Sequence, residues 1–214
     1  MNEKFEQYYN LLIEWNEKFN LTSITEKDKV ELLHFKDSIL PADLIPENAK
    51  VLDIGSGAGF PAIPLKIVRD DISITMVDSV NKKVTFLTEV IQSLGLKNIT
   101  AVHKRIEELS KQEKFDVVTS RAVAPLNVLC EYCLPFVKKN GFMLAYKSSN
   151  ISEEIDGAKN AIKIIGGGEA EIKEIELNEE ITRTFVIIKK IKDTPSSYLI
   201  TTHLSLTVPV SATA

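Results

Sequence analysis

Residues 51–65 read VLDIGSGAGFPAIPL. An apolar run, Val51 to Ile54, enters a turn with glycine at positions 55, 57 and 59 and leaves through Phe60 and Pro61 into a helix start. Gly55, Gly57 and Gly59 let the backbone turn tightly and approach a ligand closely, and the helix N-terminus expected behind them favours a negative group such as a carboxylate. A phosphate-binding loop would need G-K-[S/T], which is missing. The dinucleotide fingerprint would need a third glycine where Phe60 stands, and a phenyl ring there crowds a pyrophosphate. Taken alone, G-x-G-x-G leaves the cofactor open.

On either side of this stretch the pattern alternates. KVLDIG (50–55), ISITMVD (72–78), ITAVH (99–103), FDVVTS (115–120) and GFMLAYK (141–147) are short, nearly continuous apolar runs rich in Val, Ile and Thr, with helical stretches between them. Such alternation predicts a doubly wound, mostly parallel sheet with crossover helices on both faces. A helix over 150–165 is expected to end at the glycines 166–168, and AEIKEIEL and RTFVIIKKI then form an antiparallel hairpin at the C-terminal edge of a seven-stranded sheet. Upstream, Phe5, Tyr8, Tyr9, Leu12, Trp15 and Phe19 recur at three- and four-residue steps, one apolar face of a helix over 4–19. Trp15 and Phe19 read as core packing rather than base-stacking platforms. Thr25 or Ser23 is expected to cap a second helix carrying Val30, Leu33, His34, Asp37 and Ser38. This divides the chain into an N-terminal helical extension (1–48), a core (49–192) and a Ser/Thr-rich tail (193–214) expected to be disordered.

Composition excludes several classes. With 214 residues, 44% hydrophobic and 26% charged, the chain can bury one substantial core. No apolar run nears the roughly 18 residues that span a bilayer, and the N-terminus lacks the order of a signal peptide, so a cytosolic location is expected. The two cysteines, Cys130 and Cys133, form a CEYC with no second pair to complete a zinc site, and read as half-buried thiols. Net charge is −4, yet residues 51–150 carry 13 basic and 10 acidic groups while both flanks are acidic. A nucleic-acid partner would have to be gripped by a local patch.

In an open parallel sheet, ligands bind beyond the carboxyl ends of the strands where connection direction reverses. Asp53 lies two residues before Gly55, and Asp78 ends the next strand where an acid can accept hydrogen bonds from a ribose. An acid there, with a turn that has no room for phosphate, fits S-adenosylmethionine better than NAD. Glu107, in RIEEL, is placed to border an adenine, and Arg121, in SRA, to point into the same crevice. Plainer roles stand beside these: Asp78 as a helix cap, Glu107 as an acid in a first helical turn, Arg121 in a structural ion pair.

WNEKFNLTSIT, HFKDSIL, VLDIGSGAGFPAIPLKI, VDSVNKKVTFL, RIEEL and FDVVTSRAVAPL, in this order and spacing, resemble the bacterial ribosomal RNA small subunit methyltransferase G family, also called glucose-inhibited division protein B. The resemblance covers about residues 8–192. It implies a Rossmann-like class I methyltransferase that moves the methyl of S-adenosylmethionine to N7 of one guanine in the decoding-region loop of 16S rRNA. Its partner would be 16S rRNA or the small ribosomal subunit, with neither DNA nor membrane involved, and nothing calls for more than a monomer. The family's cofactor contacts fall on Gly55, Phe60, Ile106, Glu107 and Arg121, and Asp78 joins them from the strand-end argument. Since N7 carries an unprotonated lone pair, no general base and no metal is expected. Arg121, Lys82, Lys83, Lys104, Arg105 and Lys147 are candidates for RNA contact, while His34, Asp37 and Ser38 read as a brace between the N-terminal helices and the sheet. The family usually ends in a basic tail, and PSSYLITTHLSLTVPVSATA departs from that. A class I methyltransferase of a small molecule or protein, an RNA-binding module that keeps the pocket as a sensor, and an NAD oxidoreductase are the competing readings, the last opposed by Phe60.

Overall fold

The apolar runs pair into one seven-stranded sheet in a computed structural model that describes residues 2–148, 151–196 and 198. The strands are β1 (Lys50–Ile54), β2 (Ser73–Asp78), β3 (Ile99–His103), β4 (Phe115–Arg121), β5 (Val137–Lys147), β6 (Gly167–Glu176) and β7 (Thr182–Lys190). Their order is β3-β2-β1-β4-β5-β7-β6, parallel as far as β5, with β7 antiparallel to both of its neighbours. The direction in which the connections progress across the sheet therefore reverses between β1 and β4, which are themselves parallel. The α-helices are α1 (Glu3–Phe19), α2 (Lys27–Val30), α3 (Asp37–Ile39), α4 (Ala62–Val68), α5 (Asn81–Ser93), α6 (Leu126–Cys133) and α7 (Ser152–Ile165). A π-helical turn, Glu31–Lys36, fuses α2 and α3.

Strand alternation sends the two sets of side chains to opposite faces. Val51, Ile74, Met76, Val117, Leu144 and Phe185 share one core with α1, α4 and α5, which supply Tyr8, Leu12, Ile63, Leu65, Phe86 and Leu87. Leu52, Ile54, Val118, Met143, Val186 and Ile188 share the other with α6 and α7. The N-terminal helix thus helps make the main core. Asn2 caps it by accepting the Phe5 N–H at 3.1 Å, and Asn20 ends it in the left-handed region at φ 49°. Burying Tyr8 and Leu12, both 0% exposed, contributes about 2 kcal/mol each. Trp15 packs on Phe86 and Phe19 at centroid distances of 5.6 and 5.4 Å, as core packing requires.

Local expectations change in four places. Neither Ser23 nor Thr25 caps the second helix: Glu26 precedes it without a side-chain cap. The only threonine hydroxyl nearby that is engaged, Thr22 Oγ1, lies 2.8 Å from His34 Nε2 and accepts from Ile24 N at 3.1 Å. β5 starts at Val137, where it pairs with Phe115, four residues before the apolar run that marked it. Of the three glycines, only Gly166, at φ 87°, stops α7; Gly167 already pairs with Lys190 in β6. Cys130 and Cys133 are fully buried rather than half-buried, and burial pushes the Cys130 thiol up to about 12.

Most of the expected disordered tail, residues 197 and 199–214, lies outside the described residues. Tyr198 packs against the α6/α7 core, and its carbonyl accepts from Lys111 Nζ at 2.7 Å. No helix among the described residues is long and apolar enough to cross a membrane.

Candidate active site

The glycine turn caps β1 at the reversal point. Gly55 N and Ser56 N both donate to Val77 O, at 2.8 and 3.3 Å, which bends the chain across the end of β2. Gly55 sits at φ +70°, and a Cβ there would stand 2.5 Å from Val123 Cγ2. Glycine is therefore required twice over, by conformation and by space. Asp78 locks the other side: Oδ2 accepts from Gly57 N and Oδ1 from Val80 N, both at 2.9 Å. It caps the turn after β2 and fastens the glycine turn at once. The expected helix N-terminus is not at this turn. Gly59 N and Phe60 N fold back on Ser56 O, and α4 begins only at Ala62, which is buried.

A cleft of about 510 Å³ opens beyond these strand ends. Gly55, Asp78, Ile106 and Glu107 line it together, as do Lys83, Lys104 and Arg105. Ile106 and Glu107 reach it because a 3-10 turn, Ile106–Glu108, follows β3 and buries Ile106 while leaving Glu107 half-buried. Under the glycine turn lies Asp53, 1% exposed, and among the described residues neither of its carboxyl oxygens has a hydrogen-bond partner. Burial pushes that carboxyl up to about 7, Asp78 adds to the rise, and Ser56 and Arg121 oppose it. The Ser56 hydroxyl makes its hydrogen bond to the Asp53 backbone carbonyl, at 3.1 Å, and leaves the carboxyl bare.

Arg121 and Phe60 stand apart from this lining. Arg121 borders a neighbouring cleft of about 300 Å³ with Asp37, Tyr146, Lys147, Arg183 and Thr184. Ala122, at φ 56°, lines both clefts and is their common wall. Arg121 Nη2 meets Asp37 Oδ2 at 2.8 Å and Leu33 O at 2.7 Å, and Nη1 donates to Ser38 Oγ at 3.1 Å. The plainer role weighed for it, a structural ion pair, is present. Phe60 lies beneath, 6.0 Å from the Arg121 guanidinium, stacked on His34 at 4.4 Å. Burial, then Arg121, push His34 down to about 4, so at neutral pH it is an uncharged plate beneath the arginine. The brace of His34, Asp37 and Ser38 is complete: Asp37 also takes Arg183 Nε at 2.5 Å, and Ser38 O accepts from the Tyr146 hydroxyl at 2.6 Å.

Of the remaining basic candidates, Lys147 pairs with Glu154 at 2.5 Å, and Lys82 sits over the Phe19 ring at 5.6 Å.

A family model described as GidB, rRNA small subunit methyltransferase G, matches residues 1–183. The Ribosomal RNA small subunit methyltransferase G of Desulforamulus reducens is 51% identical over 203 residues, covering 91% of this chain and 84% of that protein. Its Bacillus subtilis namesake is 47% identical, with 92% and 85% covered. The chain belongs to the rRNA small subunit methyltransferase G family.

The methyltransferase G fold has distant likenesses as well. A SAM-dependent O-methyltransferase from Thermotoga maritima aligns with TM-score 0.60 at 14% identity, covering 86% of this chain and 72% of that one. TYW2 of M. jannaschii, solved in complex with AdoMet, aligns with TM-score 0.59 at 17% identity, covering 74% and 76%. At such identities only the fold is shared. The expected class I methyltransferase architecture is what these strands build, and S-adenosylmethionine, the expected cofactor, agrees with fold and family. Arg183, which the sequence did not single out, is the addition. Its only early signal was a lone arginine just ahead of the apolar run Phe185–Ile188.

Proposed function

We propose that this methyltransferase moves the methyl of S-adenosylmethionine to N7 of one guanine in the decoding-region loop of 16S rRNA. What supports the cofactor is the cleft beyond the strand ends, lined by Gly55, Asp78, Ile106 and Glu107, with the buried Asp53 carboxyl beneath the glycine turn. S-adenosylmethionine brings a sulfonium and an ammonium, which such a carboxyl welcomes, whereas NAD brings an anionic pyrophosphate, which it repels. The donor set fits the group: Gly55 offers open backbone, Asp78 a carboxylate edge, Ile106 an apolar wall and Glu107 a rim acceptor. Phe60 and Arg121 would close the side toward the substrate.

When bound, S-adenosylmethionine supplies a methyl group activated by positive sulfur. Everything else is alignment. The glycine turn fixes height above β1, Asp78 fixes the turn, and the Arg121–Asp37 wall fixes where a purine can stop, so N7 approaches in line with water excluded. Among the described residues neither cleft is lined by histidine, and N7 needs none, since its lone pair is free at neutral pH. A guanine in folded RNA would be splayed out to enter. On this reading the enzyme works in the cytosol, as a monomer, on the small subunit or its RNA, with residues 1–48 as a helical extension on the 49–192 methyltransferase domain.

The test is transfer from labelled S-adenosylmethionine to unmodified 16S rRNA, naked and in subunits, with N7-methylguanine mapped by chemical cleavage. Label at another atom, or only in protein or small molecules, overturns the assignment. In the same assay Arg121→Ala is expected to lose at least about tenfold in methyl transfer and Cys133→Ala to keep it. Arg121 loses three hydrogen-bonded contacts at the wall; Cys133 touches neither cleft. Equal activity in the two variants would refute the wall.

A further inference from the structure

The second cleft presents three cations, Arg121, Lys147 and Arg183, against one carboxylate, Asp37. Glu154 outside the lining matches Lys147, and Asp37 matches one arginine. Among the described residues one positive charge is left over, in a chain whose net charge is −4. The two arginines spend their donors differently. Arg121 commits both terminal nitrogens to Asp37, Leu33 and Ser38. Arg183 commits Nε to Asp37, and among the described residues its Nη1 and Nη2 make no hydrogen bond. Its side chain is 32% exposed, so the fork is aimed by Asp37 and offered to the cleft. The register Lys147↔Thr184 sets Arg183 one residue beyond the last β5–β7 pair, at the cleft's rim.

We propose that this cleft seats an RNA phosphate beside the target guanosine, with Arg183 as its bidentate donor and Lys147, on the neighbouring strand and already paired with Glu154, as a second cation. A guanidinium fork otherwise reads guanine through O6 and N7. Here that edge must stay open, because the N7 lone pair attacks the methyl carbon as the carbon–sulfur bond breaks. Transfer also leaves the purine ring positively charged, which an arginine against the ring would oppose. The remaining anion of RNA is its phosphate, and two parallel N–H bonds to phosphate oxygens suit the free end of Arg183. Since Ala122 belongs to both clefts, a phosphate held in one leaves its splayed base facing the other. The exclusion of the base edge rests on the N7 reading; the phosphate contact does not.

The experiment uses full-length Arg183→Gln and Arg183→Lys with unmodified 16S rRNA, naked and in subunits, over a series of KCl concentrations. For Arg183→Gln, KM for RNA is expected to rise about tenfold, with kcat at saturating RNA within about twofold of wild type. The slope of log KM against log salt should become shallower by roughly 0.7–0.9, the signature of one lost phosphate contact. Arg183→Lys should recover the slope and part of the affinity, as a charge without a fork would. Calorimetric affinity for S-adenosylmethionine should match wild type in both, which also certifies the fold. An unchanged slope, or a slope that lysine fails to restore, overturns the phosphate contact. Mapping of the wild-type product judges the N7 reading separately: methyl on another atom sinks that reading while the salt slope still decides the phosphate.

Discussion

Asp37→Ala is expected to cost about 3 kcal/mol of folding stability, read as a lower urea midpoint at pH 7 with the slope of the transition kept. Asp37 is 5% exposed and is the counter-charge for two arginines at once, Arg121 on β4 and Arg183 on β7, at 2.8 and 2.5 Å. Removing it strands both guanidiniums, and burial already holds that of Arg121 below its ordinary range, with Asp37 the first group to oppose the drop. The figure sits at the low end for broken buried pairs because the Arg183 side chain, 32% exposed, can rehydrate. Asp37 is also where α3 meets the sheet, so the loss is not confined to a surface contact. A drop under about 1 kcal/mol would mean that the triad is worth no more than an exposed ion pair.

Asp53→Asn should act in the opposite sense, by a margin that grows as pH rises above about 4. The folded carboxyl titrates near 7, against an ordinary 3.8. The folded protein therefore holds a proton that the unfolded chain releases above pH 4, and wild-type stability falls as pH rises from about 4 through 7. Three units of raised pKa bound the loss at about 4 kcal/mol above pH 7. Asparagine does not ionise, so the cofactor-free variant should gain on wild type between pH 4 and pH 8, by a few kcal/mol at most. His34 contributes the reverse slope in both proteins: its folded value of about 4 lies below the ordinary 6.5, so stability falls as pH drops from 6.5 to 4. That contribution cancels in the difference. Saturating S-adenosylmethionine should then stabilise wild type more than the variant, because a cationic ligand gives the carboxylate its missing partner. Parallel stability curves with pH, and equal ligand stabilisation, would remove Asp53 from the cofactor's account.

The sheet was legible because parallel strands buried on both faces read as unbroken apolar runs, and the hairpin because two strand-like runs, AEIKEIEL and RTFVIIKKI, follow the glycines at 166–168. Gly55, Asp78 and Glu107 were legible as neighbours because each lies at or just beyond the end of a parallel strand, and those ends converge whatever the loops do, whereas Ile106 came from the family resemblance. Arg121 shares that address, but its side chain is claimed by Asp37, 84 positions away by residue number, and no local pattern announces such a partner. Arg183 was hidden for the same reason, its place being set by the β5–β7 register and by an acid 146 residues distant. Phe60 reads in the sequence as spoiling a dinucleotide turn, while in the structure its ring stacks on His34, which sits in the π-helical turn. Residues whose environment is local could be read; those oriented by distant ion pairs could not.

One hydrogen bond ties the first helix to the chemistry. The Tyr8 hydroxyl, buried within α1's contribution to the core, donates to Ala58 O inside the glycine turn. Displacing α1 would take that donor away from Ala58 O, so the shape of the turn is not independent of the helix. The first helix and the ligand-bearing turn are in this way parts of one packed unit.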